Sequence, residues 1–403
     1  MKPMGAIPAE LRGMQLAIGG RPVAELATQT PAFIYDMTIV AARVARFRAA
    51  FRGIDLHYAV KANPFAPLLK SMAPLVDGFD VASVGELERV QALGKAVSFA
   101  GPGKRDMELK AAISAGVTVN FESEAEADRA LAIANRVGKA PLLAVRVNPD
   151  FELRGSGMRM GGRASPFGVD ADRAAALVRR IVDSGADWRG FHIFAGSQSL
   201  DTQAIIDSQA HTLELAIRLA DEIGAMPPSV NLGGGFGLPY FPGEVPLDIE
   251  VIGAALAPRL EALPQTRFAI ELGRWLVGEA GVYLTRVIDR KGSRGETFLV
   301  CDGGLNHQLA ATGNFGTVVR RNYPIAVATA APDAPTETVT VVGPLCTPLD
   351  RLADQVELPV AWPGDVIAIF MAGAYGLTAS PWEFLGHSRP VELLVGAAPS
   401  TAA

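Results

Sequence analysis

The chain has 403 residues, about half of them apolar and a fifth charged, which is too long for one ordinary hydrophobic core and points to two domains. A net charge of −5 excludes a strong basic field for nucleic acid or an anionic membrane, and no apolar run approaches a membrane span. Two cysteines, Cys301 and Cys346, with no CxxC, exclude a disulfide framework, and the five histidines show no paired metal-ligand spacing, so no metal site is expected. The first twenty residues lack the continuous apolar stretch of a signal peptide, so a cytoplasmic protein is expected. In chain order, short apolar runs fall at 55–60, 78–82, 97–100, 117–121, 142–147, 189–194, 229–232 and 267–271, with helix-like stretches between them. Ser83-Val-Gly-Glu86 and Ser123-Glu-Ala-Glu126 read as capping boxes that open two of those helices, and Gly94 as a stop for the first.

This alternation predicts an α/β fold, a parallel (β/α)8 TIM-like barrel, with an open doubly wound sheet as the competing arrangement. Beyond about residue 276 the helical period fades, and Val/Ile/Thr-rich runs at 281–288, 297–300, 336–342 and 365–370 predict a C-terminal antiparallel β domain. The run 32–35 precedes the first barrel strand and is expected to join that domain. The expected division is therefore an N-terminal segment 1–36, a barrel 37–275, a β domain 276–395 and a loose tail 396–403.

Several fragments carry chemistry. Tyr58-Ala-Val-Lys61-Ala-Asn63 puts a lysine at the C-terminal end of an apolar strand, where barrel enzymes hold catalytic groups. Partial desolvation there lowers an amine's pKa and frees it as a nucleophile; the plain alternative is a lysine reaching out to solvent. Asn231-Leu-Gly233-Gly-Gly-Phe-Gly237 has four glycines in five positions, a loop whose N–H groups can converge on an anion, or a simple flexible turn. Gly101-Pro-Gly-Lys104 lacks the spacing of a nucleotide-binding P-loop. Ala269-Ile-Glu271-Leu-Gly-Arg274 ends the eighth run with a carboxylate able to hold a pyridinium N–H or a structural ion pair. Phe191-His192-Ile-Phe-Ala-Gly-Ser197-Gln198 offers an imidazole that can stack on a flat cofactor or sit as a satisfied structural residue. Gly343-Pro-Leu-Cys346-Thr-Pro-Leu-Asp350 sets a thiol in a Gly/Pro-framed loop, and Gly373-Ala-Tyr375-Gly376 a phenol in a glycine-bounded turn.

Taken in order, with Phe79-Asp-Val-Ala-Ser-Val-Gly-Glu-Leu87, these motifs resemble the fold-type III pyridoxal 5'-phosphate decarboxylases, the family of ornithine, arginine and diaminopimelate decarboxylases, over about 31–394. The resemblance implies the alanine racemase-like combination of barrel and β domain. It implies that Lys61 holds the cofactor as a Schiff base, His192 stacks on its ring and Glu271 pairs with the pyridine nitrogen. The amides of Gly234, Gly235 and Gly237, with Tyr375, are implied to hold the phosphate, while Asp80, Ser197, Gly273 and Arg274 complete the cofactor set. Cys346 is implied to be the acid that reprotonates the carbanion, entering from the other subunit of a homodimer with shared active sites.

The sequence departs from that pattern where substrate is chosen. Thr347 stands where the ornithine and diaminopimelate enzymes have an acidic residue after the motif cysteine, and Ser165-Pro-Phe-Gly168 lacks the family's lysine. Phe194 and Ala195 lengthen the histidine motif, and Phe315 falls where diaminopimelate decarboxylases carry an arginine. A site without its ionic partner rejects a free distal ammonium. The stretch from His307-Gln-Leu-Ala-Ala through Gly313-Asn-Phe-Gly316 to Asn322-Tyr-Pro324 resembles the exosortase-associated and carrier-protein-linked branch. An aminoacyl group tethered to a carrier protein is then the expected substrate, met by Arg274, Arg320, Arg321, Thr347 and Asp350. The alternatives are a diaminopimelate decarboxylase, a racemase, against which Glu271 speaks, and a non-catalytic pyridoxal-phosphate-binding relative, against which Lys61, the glycine loop and Cys346 speak.

Overall fold

The structure, a computed structural model, describes residues 1–12, 16–153, 155, 157–159, 161–313 and 321–396. Phe315, Arg320 and the tail from 397 lie outside the described residues. Chain contacts divide into two compact units: Val44–Leu238 with Pro246–Gly273, and Met1–Arg43 with Pro239–Val245 and Arg274–Ala403.

The first unit holds eight parallel strands: β1 Asp55–Ala59, β2 Gly78–Val81, β3 Ala96–Phe99, β4 Thr118–Phe121, β5 Leu142–Asn148, β6 Asp187–Ile193, β7 Ser229–Asn231 and β8 Arg267–Leu272. Each follows one of the eight apolar runs. The sheet order runs β5-β6-β7-β8-β1-β2-β3-β4 and returns to β5. Two pairings close it, Glu271↔His57 between β8 and β1 and Thr118↔Leu142 between β4 and β5. The circle excludes the open sheet. Tyr58, Phe79, Phe99, Phe121 and Phe191 are fully buried, because strands covered on both faces select large apolar side chains.

Helices Ala66–Met72, Val84–Val90, Asp106–Ala115, Glu124–Val137, Ala171–Asp183, Thr202–Ile223 and Ile249–Leu256 connect successive strands. In Ala171–Asp183 the buried positions Ala174, Ala175, Val178 and Ile181 form one face at helical spacing. Ser83 Oγ accepts from Glu86 N–H and Ser123 Oγ from Glu126 N–H. The reciprocal bonds fall one residue earlier than in a standard capping box: Glu86 accepts from Ala82 N–H at 2.7 Å and Glu126 from Glu122 N–H at 2.9 Å. Each glutamate thereby fastens a helix start to the end of its strand.

The second unit is built on Gly281–Ser293, which pairs with Glu296–Cys301, with Val366–Ile369 and with Ala32–Asp36. Ala32–Asp36 is thus a strand of this sheet. The sheet is mixed rather than wholly antiparallel: Glu296–Cys301 runs parallel to Thr336–Val342, and Val391–Val395 parallel to Ala32–Asp36. Parallel partners need long connections, and here loops and the whole barrel supply them. Among the described residues, no helix is long and apolar enough to cross a membrane.

Candidate active site

The carboxyl ends of the barrel strands collect the predicted groups. Lys61 lies in the 3-10 turn Val60–Ala62 directly after β1, its side chain half exposed. Glu271 is near the end of β8 and buried, with Oε1 3.8 Å from Lys61 Nζ. His192, near the end of β6 and equally buried, brings Nε2 to 3.0 Å from Glu271 Oε2. Burial alone would raise the Glu271 carboxyl. The His192 hydrogen bond and the positive charges of Lys61 and Arg146 outweigh it and hold the group well below the usual carboxylate range. A permanent buried carboxylate beside an amine results. Asp80, on β2, faces His57 Nδ1 at 3.4 Å; burial would lower that imidazole's pKa, but Asp80 raises it overall.

The glycine loop follows β7. Asn231 Oδ1 accepts from Gly233 N–H at 2.9 Å, and Gly233 O accepts from Glu271 N–H at 2.8 Å. A Cβ at Gly234 would lie 1.9 Å from Glu271 O, so only glycine brings the loop this close to β8. Gly237 departs from expectation. Its N–H donates to Ser199 O at 2.8 Å and is not available to a phosphate, so its role is in the loop's path. The N–H groups of Gly234 and Gly235 have no such partner among the described residues. Ser197 lies on the short strand Gly196–Ser197, and Gly273 packs where a Cβ would meet Ala62 at 2.8 Å.

In the β unit, Arg274 is half-buried. Its guanidinium lies 4.6 Å from the Tyr375 ring and donates to Tyr240 Oη at 3.1 Å. Tyr375 is held at φ 53°, a left-handed conformation that is strained for a residue with a Cβ. Cys346 is exposed, whereas Cys301 is buried and burial pushes its thiol up. Asp350, expected to meet substrate, is buried instead. Its two oxygens accept from Leu305 N–H at 2.6 Å and Leu345 N–H at 2.9 Å, so it ties down the loop that carries Cys346. Thr347 Oγ1 accepts from Leu349 N–H within that loop. Arg321 is paired with Glu244 at 3.1 Å and lies over Phe241 at 3.7 Å, which leaves its charge partly neutralised.

Two participants escaped the sequence reading, Arg146 and His57, and a third, Phe194, was noted there only as an insertion. Arg146 on β5 is buried, pairs with Glu122 at 2.9 Å and lies over Phe167. His57 partners Asp80. Phe194, inserted in the histidine motif, lies 5.7 Å from Lys61 Nζ. The first two were visible as a charge and an imidazole inside apolar strand runs, where a polar side chain needs a partner. Lys104 of the rejected P-loop fragment is buried against Glu126 at 2.9 Å, a structural ion pair.

Pyridoxal phosphate requires an amine, a carboxylate able to face a protonated ring nitrogen, and free N–H groups for its phosphate. The barrel unit supplies all three: Lys61 and Glu271 within 3.8 Å, and Gly234 and Gly235 on a loop too tight for any Cβ. Fold and donor set together define the class, a barrel enzyme built around this cofactor. Residues 37–278 match the family described as pyridoxal-dependent decarboxylase, pyridoxal binding domain, and the chain belongs to this family of pyridoxal-phosphate-dependent amino-acid decarboxylases. It is 36% identical over 380 residues to the L-glutamyl-[BtrI acyl-carrier protein] decarboxylase of Niallia circulans, covering 91% of this chain and 89% of that protein. It is 31% identical over 401 residues to the diaminopimelate decarboxylase of Methanothermobacter thermautotrophicus, covering 94% and 90%. Among solved structures, the diaminopimelate decarboxylase of Helicobacter pylori complexed with L-lysine superposes with a TM-score of 0.83 at 26% identity, covering 93% of each chain.

Proposed function

We propose that this decarboxylase acts on an amino acid whose distal end is tethered to a carrier protein. The observation that carries the reading is Thr347, a neutral residue following Cys346, where a free diamino acid would need a carboxylate for its distal ammonium. The likeness to the carrier-linked glutamyl decarboxylase over nine-tenths of the chain supports it. The second reading is a diaminopimelate decarboxylase, favoured by the relatives at 31% identity.

The residues divide the work as follows. Bound pyridoxal phosphate supplies an electron sink for the pair left on Cα when the α-carboxylate departs as CO2. Lys61 would provide the amine that holds the cofactor, 3.8 Å from Glu271. Glu271, kept ionised, keeps a proton on the ring nitrogen. His192 fixes the carboxylate's orientation at 3.0 Å and would stack on the cofactor ring, with Asp80 also in the cofactor set. The N–H groups of Gly234 and Gly235, with Ser197 and Gly273, would receive the phosphate, and by family resemblance Arg274 and Tyr375 serve the phosphate and substrate side. Cys346 returns a proton to Cα, in keeping with its exposure on a loop pinned by Asp350. By family resemblance the thiol comes from the second subunit of a homodimer, and the reaction belongs to the cytoplasm.

CO2 release from purified aminoacyl carriers, compared with free diaminopimelate and free glutamate, tests the substrate. Turnover of a carrier-bound substrate with little from the free amino acids is expected. Rapid decarboxylation of free diaminopimelate, with none from the carriers, overturns the reading.

A further inference from the structure

The glycine loop is clamped from two sides. On the β8 side, Gly233 is fixed through Asn231 and the Glu271 N–H. On the other side lies the segment after β6. Ser199 N–H donates to Gly235 O at 2.9 Å, and Ser199 O accepts from Gly237 N–H at 2.8 Å. One residue earlier the main chain turns away, with Gln198 at φ 61°. There its side chain takes over the pairing. Gln198 Nε2 donates to Leu238 O at 2.6 Å, and Oε1 accepts from Leu238 N–H at 3.2 Å. One side-chain amide thus gives a donor and an acceptor to a single residue, as the next rung of a strand would. A non-glycine residue in the left-handed region is unfavourable by itself and persists only where its surroundings enforce it.

We propose that Gln198 is a positioning residue for the cofactor's phosphate: by pairing with both backbone groups of Leu238 it fixes the loop so that the N–H groups of Gly234 and Gly235 point at one anion. This rests on the reading above that these amides receive the phosphate. The side chain must be an amide of this length. A glutamate sets a second acceptor against Leu238 O and adds a charge beside the cradle, an asparagine is one methylene short, and a methionine fills the space without either hydrogen bond.

The test separates phosphate from ring. Full-length wild type, Gln198→Met and Gln198→Asn are titrated with pyridoxal phosphate and, separately, with pyridoxal, which lacks the phosphate. Binding is followed by the visible absorbance of the cofactor, with apo-protein melting as a control. Loss of two neutral hydrogen bonds at the cradle is expected to weaken pyridoxal phosphate about tenfold. Pyridoxal affinity should stay within about twofold, with kcat at saturating cofactor largely kept, as for a change confined to binding. Equal weakening of both ligands means a general structural role and overturns the proposal, as does no change in either. The asparagine variant decides the matter if the methionine variant does not fold. A wild type that binds neither ligand removes the cofactor reading itself and this proposal with it.

Discussion

His192 Nε2 and Glu271 Oε2 are 3.0 Å apart, and the pair is buried at the ends of β6 and β8. The Glu271 carboxyl is therefore lower in the folded protein than its ordinary value near 4.5. A group shifted down in this way stabilises the fold fully above its unfolded pKa and loses that contribution as pH falls through the folded value. Replacing His192 with alanine removes the largest lowering influence and leaves burial to raise the carboxyl. Acid unfolding, followed by circular dichroism, is expected to move to higher pH, with a loss at neutral pH of about 1.5–3 kcal/mol, typical of a hydrogen bond to a charged group. An unchanged acid midpoint would show that the pair contributes nothing.

Glu271→Gln keeps the shape of the side chain and removes its charge. The ring nitrogen then loses the partner that keeps it protonated, and kcat should fall on the order of 100-fold, the scale of a lost electrostatic stabiliser, with cofactor affinity less affected. Steady-state CO2 release beside a cofactor titration measures the two separately.

Arg146 and Glu122 form a buried ion pair at 2.9 Å, and Glu122 also accepts from Gly168 N–H. Arg146→Met strands the carboxylate and should cost about 3–5 kcal/mol in urea unfolding. Adding Glu122→Gln removes the stranded charge, so the double variant should regain much of that loss. A double variant as unstable as the single one would contradict this account.

Asp350→Ala breaks the two amide contacts that hold the Cys346 loop. Stability is expected to drop by about 1–3 kcal/mol, the cost of leaving buried donors unsatisfied. If the loop serves the proton donor, kcat falls as well, while cofactor affinity does not. Parallel melting and rate measurements distinguish the two effects.

Thr347→Glu restores an acidic residue after Cys346. Under the carrier reading, kcat/KM for free diaminopimelate should rise about tenfold or more, since one well-placed ionic contact is worth that much, and turnover of the carrier-bound substrate should fall. A variant still inert toward the free amino acid would place the distal-group contact elsewhere.

Much of this was legible in the sequence, for reasons that differ by region. Barrel strands are covered on both faces, so each leaves an apolar run, and Lys61, His192 and Glu271 stood out because they lie at or near the ends of such runs. The strand Arg351–Pro359 carries Asp354, Gln355 and Glu357, with Gln355 at φ 48°, so its alternation is broken and the run does not show. Asp350 looked like a substrate contact because it shares a polar loop with Cys346; its true partner at Leu305 is distant in sequence. The Gly237 amide was misread for the same reason, since Ser199 reaches it only through the fold.

The strand Ala32–Asp36 lies between Gly281–Ser293 and Val391–Val395 in its sheet. During synthesis it leaves the ribosome before any barrel strand, yet both of its neighbours are made after the last one. The barrel strands, with mostly local connections, can pair as they emerge, while the early strand waits unpaired through their whole translation. Completion of the β unit is therefore an event that follows translation of the barrel, and loss of Val391–Val395 would leave Ala32–Asp36 paired on one side only, with its other edge open.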